Sequence, residues 1–155
     1  MDEKIINVLY VDDESNNLIA FEANFRRNFN VFVAISSKKA KIILAKEDIH
    51  VLITDQRMPD TLGTELLADM VKKYPYQSRI LLTGFSDIDA VIDAVNKGRI
   101  FKYLTKPWDD NELRMSIEAG YELFMWNNEK IKANEEVKRS EEEINLVLKQ
   151  KNKPE

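Results

Sequence analysis

The sequence predicts an α/β fold in which a five-stranded parallel sheet is covered by helices on both faces. Short apolar runs bounded by polar turn residues alternate along the chain with longer stretches whose apolar residues recur at helical spacing. With 155 residues, 44% of them hydrophobic, the chain is large enough to form one domain around its own core. Right-handed crossovers leave few topologies for such a sheet, and 2-1-3-4-5 is one of the common doubly wound orders.

The candidate strands are the short apolar runs, and the first of them is expected to be a buried strand. Each run is rich in Val, Ile, Leu or aromatic residues and is flanked by residues that favour turns. In chain order, the predicted strands cover residues 5–11, 31–34, 51–54, 80–82 and 101–104.

A helix is predicted after each strand. Ser36 or Ser37 would cap the second helix, Ser86 or Asp87 would cap the fourth, and Gly98 would close the fourth. The predicted helices cover residues 15–28, 36 or 37 to about 45, 64–74, about 87–96, and a long stretch from 108 or 109 onward. The residues of the first helix that are expected to face the core are Leu18, Ile19, Ala20, Phe21 and Phe25.

The last helix carries two apolar stripes in different registers. Proline is absent between residues 109 and 149, and only Gly120 interrupts good helix formers. The first stripe would cover the domain, and it comprises Leu113, Ile117, Gly120 and Phe124. The second comprises Ala133, Val137, Ser140, Ile144 and Val147. We therefore expect a domain at residues 1–125 and, at 126–155, a helical extension that is either a coiled-coil linker to an output domain or a solvated tail.

Composition narrows the function classes. The net charge of −4 comes from interspersed charges of both signs without a basic stripe, so direct binding to nucleic acid is not expected. The absence of cysteine excludes disulfides and thiolate metal sites, and no apolar run approaches the roughly 20 residues of a membrane span. We expect a cytoplasmic protein. His50, the sole histidine, is expected to be a surface or turn residue.

Polar side chains follow four of the five predicted strands. Asp12 and Asp13 follow the first strand, Asp55 the third, Thr83 the fourth and Lys106 the fifth. In a sheet of order 2-1-3-4-5 the first and third strands are neighbours at the topological switch point, where ligands bind beyond the carboxyl ends of the strands. The three acids would then converge.

This set of side chains suits phosphoryl transfer to a carboxylate. Three adjacent carboxylates repel one another, and a hard divalent cation such as Mg²⁺ relieves that repulsion. A carboxylate can attack phosphorus to form an acyl phosphate if the transferring oxygens are stabilised. Asp55 would be the nucleophile, Lys106 would supply a cation and Thr83 a hydroxyl. The sequence therefore predicts a site for a phosphorylated aspartate and its divalent ion.

Together these motifs resemble the receiver domains of two-component response regulators, over about residues 4–125. The resemblance rests on short motifs at the strand ends: Asp12-Asp13-Glu14, Asp55 with Met58-Pro59 and Gly63, Thr83-Gly84, and Lys106-Pro107. It implies the flavodoxin-like receiver fold with strand order 2-1-3-4-5. Segments such as Leu82-Thr83-Gly84-Phe85 and Tyr103 to Asp110 are similar to bacterial receivers placed before larger output domains.

The resemblance also implies roles for single residues. Asp55 would accept phosphate from a histidine kinase or a phosphotransfer protein. Asp13, Asp55 and the backbone carbonyl of Arg57 would hold Mg²⁺ (or Mn²⁺), with Asp12 helping through water. Thr83 and Lys106 would contact the phosphoryl group.

Further roles concern switching and the lifetime of the phosphoryl group. The ring of Tyr103 would rotate inward as Thr83 moves, and the bond between Lys106 and Pro107 would be cis. Arg57 and Phe85 would tune how long the phosphoryl group survives. The chain is expected to promote its own phosphorylation and dephosphorylation without being an enzyme otherwise, and to form a homodimer through the receiver or the C-terminal helix.

Two alternatives remain at this stage. A metal-dependent phosphatase or phosphomutase would also use an aspartyl nucleophile, but that class places two acids two residues apart after the first strand, whereas Asp12 and Asp13 are adjacent. A degenerate receiver that serves only as a dimerisation module is the other alternative, and the intact acids and Lys106 disfavour it.

Overall fold

The structure, a computed structural model, describes residues 5–97 and 99–152, with Phe85 described by its backbone only. Strands and helices alternate as the sequence predicts. Gly98, expected to close the fourth helix, lies outside the described residues. The elements are β1 (Asn7–Val11), α1 (Ser15–Phe25), β2 (Asn30–Ala34), α2 (Ser37–Lys46), β3 (Val51–Asp55), α3 (Gly63–Lys73), β4 (Ser78–Thr83), a 3₁₀ turn (Phe85–Asp87), α4 (Ile88–Asn96), β5 (Lys102–Thr105) and α5 (Asp110–Lys151).

The sheet has five parallel strands in the order β2-β1-β3-β4-β5, which confirms the predicted fold class. Its central strands β1, β3 and β4 are almost entirely buried, because helices pack on both faces. None of the helices in the described part of the chain is long and apolar enough to cross a membrane.

β4 begins two residues earlier than the apolar run suggests. Ser78 and Arg79 pair with Val51 and Leu52 of β3, although their side chains are polar. Both are buried and satisfied: the Ser78 hydroxyl donates to the carbonyl of Gly120, and the Arg79 guanidinium donates to three backbone carbonyls. Internal hydrogen bonds therefore allow strand residues that composition does not favour.

The inward face of α1 is narrower than predicted. Leu18, Phe21 and Phe25 are buried, but Ile19 is 66% exposed and Ala20 is also exposed. Residues spaced by three or four lie on one side of a helix, and the neighbours of Leu18 are rotated away from that side by about 100° per residue. The expectation for Ile19 and Ala20 was wrong for this reason.

The chain divides into two units, residues 1–124 and 125–155. Within the first unit, α5 buries the predicted first stripe, since Leu113, Ile117, Gly120 and Phe124 are all buried. The Asp109 carboxylate caps the start of α5 by accepting hydrogen bonds from the backbone N–H groups of Asn111 and Glu112. In the second unit, the described residues from 132 onward are all helical up to Lys151 and all exposed.

His50 was expected to be a surface or turn residue; it lies in the bend before β3, but its side chain is largely covered. Its side chain is only 13% exposed, and its Nδ1 accepts a hydrogen bond of 2.9 Å from the backbone N–H of Asn7. The ring packs against Tyr121 and Phe124, with centroids 5.1 and 4.9 Å away. Burial lowers the pKa of His50, and the nearby Asp48 carboxylate offsets this only in part. The folded state therefore favours the neutral imidazole.

We expect His50 to make stability fall in mild acid. Its folded-state pKa lies below the ordinary 6.5, so its contribution is fully present above that pH and is lost as pH falls through the folded-state pKa. Urea unfolding of wild type and His50→Gln at about pH 8 and about pH 5 measures this, because both chains share every other titration. The free energy of unfolding should fall less steeply with acid in the variant; equal falls would contradict the assignment.

Candidate functional site

The candidate site lies beyond the carboxyl ends of the strands. Asp12 follows β1, Asp55 is the last residue of β3, Thr83 is the last residue of β4, and Lys106 follows β5. Parallel strands end at one edge of the sheet, so residues far apart in sequence meet there. A backbone hydrogen bond of 3.0 Å from Lys106 N–H to the Thr83 carbonyl fixes the end of β5 beside the end of β4.

Three carboxylates converge at this edge. One carboxylate oxygen from each of Asp12, Asp13 and Asp55 lies within 4.8 Å of the other two. Asp12 is fully buried, whereas Asp13 and Asp55 are half-buried. Hard carboxylate oxygens that share one partly open face are the ligands that Mg²⁺ or Mn²⁺ prefers. The donor set therefore fits the divalent ion that the sequence analysis expects.

Lys106 bridges two of these acids. Its Nζ lies 3.1 Å from Asp12 Oδ2 and 3.1 Å from Asp55 Oδ1. Burial pushes the pKa of Lys106 down, but the hydrogen bond to Asp12 and the charges of Asp55 and Asp12 together raise it above its ordinary value. The ammonium is thus held charged between the carboxylates. The peptide bond between Lys106 and Pro107 is cis, as expected.

Asp12 is held by a dense set of hydrogen bonds. Its Oδ2 accepts from the Tyr10 hydroxyl at 2.5 Å, from Asn17 Nδ2 at 3.0 Å and from Lys106, while Oδ1 accepts from the Glu14 N–H at 2.9 Å. Burial raises the pKa of Asp12, but the bonds from Tyr10, Glu14 and Lys106 outweigh it and lower the pKa overall. Asp12 is therefore a fixed anion whose lone pairs are largely occupied.

Tyr10 and Asn17 are site residues that the sequence analysis did not identify. Tyr10 is fully buried, and its pKa is strongly raised by burial first and by the hydrogen bond to Asp12 second. One sequence signal was available: residues 10 and 12 are two apart, so they project from the same face of an extended chain. Asn17 lies in the first turn of α1 and reaches back to Asp12, which its position alone does not indicate.

The two oxygens of Asp55 differ. Oδ1 lies beside Lys106 and accepts the backbone N–H of Gln56 at 2.9 Å. Oδ2 has no hydrogen-bond partner among the residues that the structure describes. Burial raises the pKa of Asp55, Lys106 opposes this, and the negative charge of Asp12 adds to it, so the net shift is upward. In the described part of the chain, the hydrogen bond and the ion pair of Asp55 therefore both lie on Oδ1.

Gly63 lets the chain pass close to Asp55. A Cβ at Gly63 would overlap the backbone carbonyl oxygen of Asp55 and would stand 2.9 Å from Leu81 Cδ1. The loop between them is fastened to α3, because the Gly63 N–H donates to the Gln56 carbonyl at 2.8 Å and the Thr64 N–H donates to Gln56 Oε1 at 2.9 Å. This contact explains why a glycine follows the Met58-Pro59 turn.

We expect Gly63→Ala to lower the free energy of unfolding by about 1–3 kcal/mol, because the added methyl group must displace backbone or Leu81. Gly84→Ala is the matched control, since a Cβ there meets nothing within 4 Å. That variant should lie within about 1 kcal/mol of wild type. Urea unfolding measures both, and equal effects of the two substitutions would show that the contact at Gly63 is unimportant.

The remaining predicted site residues are Thr83, Tyr103, Arg57 and Phe85. The buried Thr83 hydroxyl donates to the carbonyl of Gly84 at 3.1 Å, and Tyr103 on the edge strand β5 is 39% exposed. The Arg57 guanidinium pairs with Asp87, through Nε to Oδ2 at 3.1 Å and Nη2 to Oδ1 at 2.7 Å. The side chain of Phe85 lies outside the described part of the chain.

The family model described as the response regulator receiver domain matches residues 8–118. The hydrogenase transcriptional regulatory protein HoxA of Cupriavidus necator is 32% identical over 123 residues, which are 77% of this chain and 26% of HoxA. The chain thus spans about a quarter of the length of the curated relatives it matches.

Two solved structures are also similar to this chain. A structure described as adenylate cyclase from Rhodopirellula baltica is 28% identical with a TM-score of 0.82, and the match covers 85% of this chain and 98% of that one. A response regulator receiver domain protein from Clostridium thermocellum is 31% identical with a TM-score of 0.72, over 82% of this chain and 98% of that one.

Proposed function

Because this chain belongs to the response regulator receiver domain family, we propose that Asp55 accepts the phosphoryl group that operates it as a signalling switch. Receiver domains of response regulators are phosphorylation-dependent switches that interact with histidine kinases or phosphotransfer proteins. The single observation that carries the assignment to Asp55 is that Lys106 lies 3.1 Å from its Oδ1, while its Oδ2 has no hydrogen-bond partner in the described part of the chain. Asp12, the other acid bonded to Lys106, is buried and already accepts four hydrogen bonds.

The proposed reaction is an in-line displacement at phosphorus. Asp55 Oδ2 attacks the phosphorus atom of a phosphohistidine, a P–O bond forms, and the P–N bond breaks with its electron pair left on the imidazole nitrogen. Lys106 already lies against Asp55 Oδ1 at 3.1 Å and would neutralise one phosphoryl oxygen as charge develops. The Thr83 hydroxyl would break its hydrogen bond to the Gly84 carbonyl and donate to a second phosphoryl oxygen.

The residues that would hold Mg²⁺ are Asp13, Asp55 and the backbone carbonyl of Arg57, with Asp12 acting through water. The hydrogen bonds that Asp12 already accepts favour this indirect role, and the partly exposed Asp13 favours a direct one. When bound, the ion would neutralise a phosphoryl oxygen and the repulsion among the acids.

The proposed response begins at Thr83. Its hydroxyl bonds to its own loop and Tyr103 is half-exposed, which is the arrangement expected before phosphorylation. Movement of Thr83 toward the phosphoryl group would open space for the Tyr103 ring to turn inward. Arg57 and Phe85 follow Asp55 and Thr83 by two residues each, and we propose that they slow loss of the phosphoryl group.

The proposed switch would act on an output domain that the C-terminal helix connects to the receiver. The matched proteins include a transcriptional regulator and an adenylate cyclase, so we propose that residues 126–155 link the receiver of residues 1–125 to an output domain. The described part of that extension exposes Val137, Ile144 and Val147 on one stripe, which would suit pairing with a second copy. A homodimer through the receiver or this helix is proposed. We do not propose turnover of an external phosphomonoester, because the family match favours a receiver over a phosphatase.

Removal of the divalent ion tests the proposed chemistry. Incubation with a small phosphoramidate and Mg²⁺ should add one phosphoryl group, and EDTA should slow the reaction by about 10²-fold or more, because the acids then repel the incoming oxygens. The measurement is the intact mass against time. Equal rates with Mg²⁺ and with EDTA would contradict a metal role for the three carboxylates.

A further inference from the structure

Asp87 lies between the candidate site and α4 and carries an ion pair that the receiver chemistry above does not use. Both of its carboxylate oxygens accept hydrogen bonds from Arg57, at 3.1 and 2.7 Å. The two side chains are placed very differently, because Asp87 is 13% exposed and Arg57 is 70% exposed. The pair joins the loop after β3 to the loop after β4, across a separation of 30 residues.

The Asp87 carboxylate is also in position to cap α4, and it does not do so while it is paired with Arg57. Asp87 is the N-cap residue of α4, and Asp is among the best N-cap types, yet its side chain makes no capping hydrogen bond. The N-cap of α2 shows the normal arrangement, since Ser36 Oγ accepts from the Lys39 N–H at 3.2 Å. At Asp87 each oxygen accepts one hydrogen bond from Arg57. This bidentate pairing fixes the orientation of the carboxylate, and in that orientation it does not cap α4.

Arg57 also has a second use. It lies two residues after Asp55, in the loop that follows β3 and the proposed acceptor. A phosphoryl group bears nearly two negative charges and three acceptor oxygens, and guanidinium groups bind such oxygens in bidentate fashion. The Arg57 side chain is mostly exposed, so water screens its attraction to Asp87. The guanidinium can therefore exchange Asp87 for another anion at low cost.

We propose that Asp87 and Arg57 form a latch that exchanges partners on phosphorylation. In the unphosphorylated chain Arg57 holds Asp87 away from α4. When Asp55 carries a phosphoryl group, the guanidinium turns to it, and the released Asp87 caps the first turn of α4. The inference rests on the proposed function. It adds a second route from Asp55 to α4, which runs through the side chains of Arg57 and Asp87 and does not involve Thr83 or Tyr103.

The latch predicts an ordering of α4 that can be measured residue by residue. An N-cap carboxylate accepts from the second or third helical N–H, which in α4 belong to Asp89 and Ala90. Amide hydrogen exchange by NMR, without and with beryllofluoride and Mg²⁺ as the acyl phosphate mimic, should show about fivefold slower exchange at these two amides on binding, as expected for a cap of ordinary strength. The Arg57 Nε–H signal should shift in the same titration.

Three variants separate the latch from a purely structural pair. Arg57→Gln frees Asp87 to cap, so Asp89 and Ala90 should be protected without beryllofluoride and should change little on adding it. Asp87→Asn loses the ion pair but keeps a capping oxygen and should behave similarly. Asp87→Ala loses the ion pair and the capping oxygen, so the amides of Asp89 and Ala90 should be unprotected both without and with beryllofluoride. Asp93→Asn is the matched control, because it breaks the exposed pair with Lys97 on the same helix and should respond as wild type does.

The outcomes distinguish the latch from the proposed function. Beryllofluoride binding that shifts the Asp55 signals but leaves Arg57 Nε–H and the α4 amides unchanged would overturn the latch and leave Asp55 as the acceptor. Protection that rises equally in wild type and Asp87→Ala would also overturn it, since no cap would then be involved. Failure of beryllofluoride to bind at Asp55 would remove the proposed function and the latch together.

Discussion

The Asp55→Asn variant is expected to lose stable phosphorylation by at least about 10³-fold, because an amide oxygen does not replace a carboxylate as a nucleophile. The measurement is the intact mass after incubation with a small phosphoramidate and Mg²⁺. Asp69→Asn on α3, which alters an exposed pair with Lys41 of α2, is the matched control and should be phosphorylated as wild type is. Equal phosphorylation of Asp55→Asn and wild type would show that another residue accepts the group.

Misfolding will not explain that loss. The pKa of Asp55 is raised by burial and by Asp12 despite Lys106, so the ionised carboxylate lowers the stability of the folded chain at neutral pH. A group with a raised folded-state pKa contributes stability at low pH that is lost as pH rises through that pKa. Asp55→Asn removes this penalty, and its free energy of unfolding at neutral pH should equal or exceed that of wild type by about 1 kcal/mol. Urea unfolding of the same samples checks this.

The Lys106→Met variant is expected to lower the phosphorylation rate by about 10²–10³-fold, the usual effect of removing one group that stabilises developing charge. In the structure this ammonium lies 3.1 Å from both Asp12 and Asp55, so its loss also leaves two carboxylates without their shared cation. The free energy of unfolding should therefore fall, and Mg²⁺ should restore part of it because the ion supplies the missing positive charge.

Lys102→Met provides the control for Lys106→Met. Lys102 is the first residue of β5, the strand that Lys106 follows, and its side chain is exposed. Its substitution should change neither the phosphorylation rate nor the response of stability to Mg²⁺. If Lys106→Met is phosphorylated at the wild-type rate, Lys106 serves only to balance the charge of the acids, and the proposed role in transfer fails.

Much of the fold was predictable because strand ends and turn residues are local signals. Asp12, Asp55, Thr83 and Lys106 each follow an apolar run, so the topology alone brings them to one edge. The strand order itself was an expectation, strengthened by the resemblance to receiver domains, and the parallel pairing of β1 with both β2 and β3 confirms it.

What the sequence did not reveal depends on contacts between distant residues. Arg79 is a strand residue because carbonyls of Tyr74, Gln77 and Arg99 accept its hydrogen bonds. His50 is partly covered because Tyr121 and Phe124 of α5 pack against its ring, which nothing near residue 50 indicates. Composition and periodicity describe the backbone pattern well but not which polar side chains find partners across the fold.

The site shows the same limit. The three acids and Lys106 could be named from their positions, whereas the hydrogen bonds that Tyr10, Asn17 and Glu14 donate to Asp12 depend on how side chains meet in the folded chain. Those hydrogen bonds distinguish Asp12 from Asp55 as acceptor. The pairing of Arg57 with Asp87 likewise depends on how two loops approach each other.

The most direct test of the central claim is to locate the phosphoryl group. Wild-type chain phosphorylated with a small phosphoramidate and Mg²⁺ is treated with borohydride, which reduces an aspartyl phosphate to homoserine, and the modified residue is identified by peptide mass spectrometry. Homoserine at position 55, with Asp12 and Asp13 unchanged, is the predicted result. Modification at Asp12 or Asp13, or a phosphoryl group that resists borohydride because it sits on a hydroxyl or on His50, would contradict the assignment of Asp55 as the acceptor.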